Sequence, residues 1–104
     1  MTELYYAEDD PNIAMIVKEY LEHRNFKVTI CGTLAGMKQA LKKHVPAIIL
    51  LDWNMPDGHG DSLCKWIRNN WKELPIIFLT VRGDSHDIVA GCQNGADDYV
   101  VKPL

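Results

Sequence analysis

Ala47-Ile48-Ile49-Leu50-Leu51-Asp52 is an unbroken apolar run that ends on a carboxylate. With no polar alternation along it, the run suits a central strand of a parallel sheet covered on both faces. Pro75-Ile76-Ile77-Phe78-Leu79 repeats the pattern and ends on Thr80. Leu4-Tyr5-Tyr6-Ala7 is a shorter buried run that leads into Glu8-Asp9-Asp10, and Tyr99-Val100-Val101 leads into Lys102. Phe26, Val28 and Ile30 alternate with Lys27, Thr29 and Cys31, as in an edge strand with one wetter face.

Helical patterns separate these runs. Asp10 before Pro11 is a helix start, a capping carboxylate followed by proline at the first helical position. Ile13, Ile16, Val17, Tyr20 and Leu21 then fall on one apolar stripe, and Asn25 is a stop. Thr33 can cap a second helix with Leu34, Met37, Ala40 and Leu41 inward, closed by Pro46. Residues 54–60 read as a loop before a third helix that turns Leu63, Cys64 and Ile67 inward. A fourth helix over residues 84–93 is weak, because Ser85, His86, Asp87 and Gly91 are poorer helix formers than alanine. Strands alternating with helices imply an α/β domain with a parallel sheet and right-handed crossovers.

The 104 residues fit one small domain, with 47% hydrophobic and 24% charged residues. A net charge of -3 and no basic run leave no footprint for nucleic acid in this segment. Cys31, Cys64 and Cys92 lie far apart, without a C-x-x-C pair, and read as reduced, small apolar residues. The apolar runs are too short to span a bilayer, and no basic-then-apolar leader opens the chain. A cytoplasmic protein that binds no membrane is expected.

In a parallel α/β sheet the ligand site lies beyond the carboxyl ends of the strands. Here those ends carry Glu8, Asp9, Asp52, Thr80 and Lys102. Three carboxylates at one rim repel one another unless a cation sits among them. Magnesium, or manganese in its place, takes oxygen ligands and keeps several waters. Asp9 and Asp52 are the expected direct ligands, with Glu8 acting through water and the Asn54 backbone carbonyl completing the set. Asp52 can accept a phosphoryl group as an acyl phosphate, while Lys102 and the Thr80 hydroxyl address its oxygens.

The segments Ala7-Glu8-Asp9-Asp10, Leu50-Leu51-Asp52-Trp53-Asn54-Met55-Pro56-Asp57-Gly58, Leu79-Thr80 and Lys102-Pro103 resemble, in order and spacing, the motifs of response regulator receiver domains of two-component systems. The resemblance covers almost the whole chain. It implies a doubly wound, five-stranded, flavodoxin-like sheet in the order 2-1-3-4-5. It also implies phosphorylation at Asp52 by a sensor histidine kinase, a switch hydroxyl at Thr80, a lysine of invariant type at Lys102, a switch aromatic at Tyr99 and a cis peptide before Pro103. Such a domain modifies only itself, with magnesium, and is not an enzyme on a separate substrate. The segment Gly95-Ala96-Asp97-Asp98-Tyr99-Val100-Val101-Lys102-Pro103 is similar to the subfamily with a winged-helix DNA-binding output, which dimerises when phosphorylated.

Some positions depart from that pattern. Val81 stands where the family has alanine, and its bulk narrows access to Asp52; Leu104 stands where phenylalanine is usual. The family's fifth helix is missing after Lys102-Pro103, so residues 1–104 are expected to be a trimmed receiver domain that compensates by self-association or by exchange of an element between chains. The alternative function is a pseudo-receiver, binding protein without phosphorylation. A haloacid-dehalogenase-type phosphatase would place its acidic pair late, whereas here it comes first. An EF-hand would need a glycine one place earlier and a glutamate where Leu63 stands. His23, His44, His59 and His86 lack metal-ligand spacing and are expected at the surface; Trp53, Trp66 and Trp71 are expected in packing or on a partner surface.

Overall fold

The structure is a computed structural model that describes residues 1–80 and 98–101, with Thr80 and 98–101 described by their backbone. The apolar runs form strands β1 (Thr2–Ala7), β2 (Phe26–Cys31) and β3 (Ile48–Asp52). Two short strands follow, β4 (Asn54–Met55) and β5 (Gly58–His59), then β6 (Ile76–Thr80) and β7 (Asp98–Val101). Helices α1 (Pro11–Glu22), α2 (Leu34–Lys43) and α3 (Gly60–Asn70) lie between them. The main sheet has five parallel strands in the order β2-β1-β3-β6-β7, the doubly wound order expected.

Successive residues of a strand face opposite sides of the sheet, and the core divides accordingly. Tyr5, Ala7, Ile49, Leu51, Ile76 and Phe78 pack with Met37 and Leu41 of α2 and with Leu63, Cys64 and Ile67 of α3. Leu4, Tyr6, Leu50 and Leu79 pack on the other face with Ala14 and Val17 of α1. The unbroken run in β3 is therefore needed on both faces.

Helix starts follow the expected chemistry. The Asp10 carboxylate accepts the backbone N–H groups of Asn12 at 2.9 Å and Ile13 at 3.3 Å. Thr33 Oγ1 accepts the Gly36 N–H at 2.9 Å. After α1 ends at Glu22, Asn25 takes a left-handed φ of 69°, which asparagine tolerates better than most residues.

Three expectations are corrected. Ile16 and Tyr20 do not belong to the buried stripe of α1, being 68% and 45% exposed. Ala14 and Val17 are buried and Ile13 and Leu21 pack beside them, so the small Ala14 turns the stripe away from Ile16. Cys31 does not face water: it joins the cluster beneath α2, where burial pushes its thiol pKa up. Residues 54–60 are more than a loop, since Asn54 pairs with His59 and Met55 with Gly58 in a small antiparallel hairpin.

Among the described residues no helix is long and apolar enough to cross a membrane. The expected fourth helix, Val81, His86, Cys92, Lys102, Pro103 and Leu104 lie outside the described residues.

Candidate functional site

The site begins with strand register. β1 and β3 are parallel neighbours in which Ala7 pairs with Leu51, so the next residues, Glu8 and Asp52, emerge side by side at the carboxyl edge. With Asp9 they form a trio whose carboxylate oxygens lie within 4.8 Å of one another. Glu8 and Asp52 are buried at 3% and 8% exposure, while Asp9 is open to solvent. An all-oxygen set this compact suits a hard divalent cation and offers nothing to a soft one.

Two of the three carboxylates, Glu8 and Asp52, are anchored from behind. The Glu8 N–H donates to the Cys31 carbonyl at 3.0 Å, which ties the end of β1 to β2. Glu8 Oε1 accepts the Tyr6 hydroxyl at 2.9 Å, and Oε2 accepts the Asp10 N–H at 3.3 Å. Burial, and then the charge of Glu8, raise the Tyr6 phenol above its ordinary pKa, so it remains a proton donor. Asp52 Oδ1 accepts the Asn54 N–H at 3.3 Å. Just beyond it, the Trp53 N–H donates to the Leu79 carbonyl at 3.0 Å and the Trp53 carbonyl accepts the Gly60 N–H at 2.8 Å.

Gly60 brings α3 directly under the site. A Cβ there would stand 2.7 Å from Phe78 Cε1 and 3.1 Å from the Asp52 carbonyl oxygen, so glycine alone allows this approach. Trp53 is buried, meets the edge of Phe78 at 5.2 Å between centroids and stacks on His59 at 6.1 Å. His59 is exposed as expected, yet its Nδ1 also meets Asn54 Oδ1 at 3.1 Å, so it braces the residue two places past Asp52. His44 is likewise exposed and pairs with Glu3.

Asp57 is a structural support beside the site that the sequence presents only as a loop residue. Its carboxylate accepts the Leu34 N–H at 2.9 Å and the Ala35 N–H at 3.0 Å, clipping the hairpin to the start of α2. Those two backbone donors hold its pKa below the ordinary aspartate value. Tyr6 was legible only as a core residue, and Gly60 only as the end of a loop. No local signal marks Asp57, because its partners lie 23 and 22 residues earlier in the chain.

The trio thus brings together Glu8, Asp9 and Asp52, with Asn54 beside them. Thr80 ends β6 with its backbone opposite Val101, and Tyr99 lies in β7 opposite Phe78. The model of the response regulator receiver domain family matches residues 4–104. The chain belongs to this family. Response regulator ArlR of Staphylococcus saprophyticus is 40% identical over 105 residues, covering 100% of this chain and 47% of that protein. Transcriptional regulatory protein GltR of Pseudomonas aeruginosa is 39% identical over 100 residues, covering 94% of this chain and 41% of that protein. The chain therefore spans about half the length of the curated relatives it matches, or less. A solved structure of a response regulator from Chloroflexus aurantiacus superposes with a TM-score of 0.93 at 30% identity, over 99% of this chain and 86% of that one. Membership in the receiver family implies two-component phosphorylation signalling, in which receiver domains work with sensor histidine kinases.

Proposed function

We propose that this receiver domain is a phosphorylation-dependent switch whose acceptor is Asp52 and whose donor is a sensor histidine kinase. The observation that carries the reading is a buried carboxylate at the end of central strand β3 with two more carboxylates within 4.8 Å. An Asp52 oxygen forms the new P–O bond as the P–N bond of the donor's phosphohistidine breaks. Acyl phosphate results, and the imidazole is left neutral after protonation. Asp9, Asp52 and the Asn54 carbonyl would hold magnesium, or manganese in its place, with Glu8 acting through water. Bound there, the ion supplies the positive charge that lets three carboxylates and a phosphoryl group share one rim.

Thr80, the last residue of β6, and Lys102, which follows β7 in the sequence, are assigned to the phosphoryl oxygens, and Tyr99 to the response that follows. Transcription is assigned as the output. Support comes from the Pseudomonas aeruginosa relative, named a transcriptional regulatory protein, of which this chain matches under half. No observation favours the phosphorylation-independent alternative. The test is incubation with a small acyl phosphate donor and magnesium, followed by intact mass. One added phosphoryl group is expected, lost in Asp52→Asn and without magnesium. Undiminished labelling of Asp52→Asn would overturn the assignment.

A further inference from the structure

Tyr6 has a polar atom where packing asks for none. It is fully buried in the cluster of Leu4, Ala14, Val17, Leu50 and Leu79, which an aliphatic or phenylalanine side chain could fill as well. A buried tyrosine hydroxyl needs a partner. Tyr6 and Glu8 are two residues apart on β1 and its extension, so they face the same side, and the length of the phenol carries its oxygen to the rim. There it donates to Glu8 Oε1 at 2.9 Å, while the Asp10 N–H donates to Oε2 at 3.3 Å. A carboxylate held through both oxygens by donors on a core strand and a helix cap has one orientation.

We infer that Tyr6 is a positioning residue that fixes Glu8 and thereby sets the strength and the selectivity of divalent-cation binding at the Glu8–Asp9–Asp52 trio. The inference rests on the reading of that trio as a cation site. Magnesium demands near-ideal octahedral geometry and releases its waters reluctantly, whereas calcium accepts more ligands in looser shells. Glu8 held back by Tyr6 is preorganised to receive a metal-bound water and is not free to swing onto the ion itself. Without the hydroxyl, Oε1 loses its anchor, and Glu8 would be able to bring that oxygen closer to Asp9 and Asp52. Glu8 would then no longer offer magnesium a preset partner, and it would offer calcium a direct ligand.

Partners that orient ligands typically contribute about 10–100-fold in metal affinity, and Tyr6 acts one step further out, so Tyr6→Phe should weaken magnesium binding about 5–10-fold. Calcium binding should weaken less or not at all, which narrows the discrimination between the ions. Tyr6→Phe keeps the ring and its packing, and circular dichroism checks that the variant is folded. The experiment titrates magnesium and calcium separately into the whole chain by calorimetry, for wild type, Tyr6→Phe, Glu8→Gln and the double variant. The expected result is selective loss for magnesium in Tyr6→Phe and no further loss when it is added to Glu8→Gln. Equal loss for both ions, unchanged magnesium affinity, or additive losses in the double variant would each overturn the role of Tyr6. A wild type that binds magnesium and labels on Asp52 while Tyr6→Phe matches it sinks this inference alone. A wild type that does neither sinks the cation-site reading as well.

Discussion

Replacing Asp52 by asparagine should make the metal-free protein more stable while removing its proposed chemistry. The two side chains have nearly the same shape, and the asparagine oxygen can still accept the Asn54 N–H that Asp52 accepts at 3.3 Å. What changes is charge. Three carboxylates have oxygens within 4.8 Å of one another, and the substitution eliminates two of the three repulsive pairs. At that separation each pair costs about 0.9 kcal/mol in bulk water and about 3.5 kcal/mol at an effective dielectric of 20. Asp9 is exposed, which puts its pairs near the lower figure, whereas Glu8 and Asp52 are buried. The unfolded chain keeps some repulsion too, so a net gain of about 2 kcal/mol is the working value. For a domain of this size that corresponds to a Tm rise of roughly 10 °C.

Magnesium supplies the control. A ligand present at about 100 times its Kd stabilises the folded state by about 2.7 kcal/mol, enough to bring wild type level with the variant. Asp52→Asn lacks one expected ligand and should gain far less. The assay is thermal unfolding followed by circular dichroism at neutral pH and low ionic strength, first with chelator and then across a magnesium titration. The two Tm values should start far apart and converge. A variant no more stable than wild type in chelator, or one that gains as much from magnesium, would refute the account of the trio as crowded carboxylates awaiting a cation.

Two further outcomes test what surrounds the trio. Gly60→Ala places a methyl group 2.7 Å from Phe78 and 3.1 Å from the Asp52 carbonyl, so it should cost about 1–3 kcal/mol in urea unfolding and slow labelling of Asp52. Asp57→Ala removes the clip on α2 and should be less stable than wild type at neutral pH. Because the folded pKa of Asp57 is lowered, its charge-dependent contribution is complete above the ordinary aspartate value. The contribution fades below that value and is lost once pH has fallen through the lower, folded one. Urea unfolding should therefore show the gap between Asp57→Ala and wild type narrowing below about pH 4, and a gap independent of pH would count against the clip.

The strands and the trio were legible in the sequence for one physical reason. A continuous apolar run has to be buried on both faces, and the first charged residue after it has to sit at the rim, as Glu8 and Asp52 do. The stripe on α1 is not legible in the same way, because alanine carries little weight in an apolar pattern, yet Ala14 is the residue that packs while Ile16 faces out. The supports of the site left no local trace. Asp57 serves a helix that precedes it by more than twenty residues, and the hydroxyl of Tyr6 is indistinguishable in a sequence from a tyrosine that only packs. Such contacts exist only once the sheet has brought distant segments together.

That dependence also explains how three like charges stay crowded. Glu8 follows Ala7 and Asp52 follows Leu51, and both apolar residues are completely buried in the cluster beneath α2 and α3. Moving the carboxylates apart would draw those residues out of the core or break the bonds from Glu8 to Cys31 and from Trp53 to Leu79. Repulsion in the buried Glu8–Asp52 pair, about 3.5 kcal/mol at an effective dielectric of 20, is offset by these contacts together, because fully burying one leucine is worth about 1.5–3 kcal/mol and each of the two backbone bonds adds about 0.5–1.5 kcal/mol. The polar geometry at the rim is thus held by apolar residues behind it. A substitution that loosens Leu51 or Phe78 should accordingly let the trio spread, weakening cation binding under conditions where the domain is still folded.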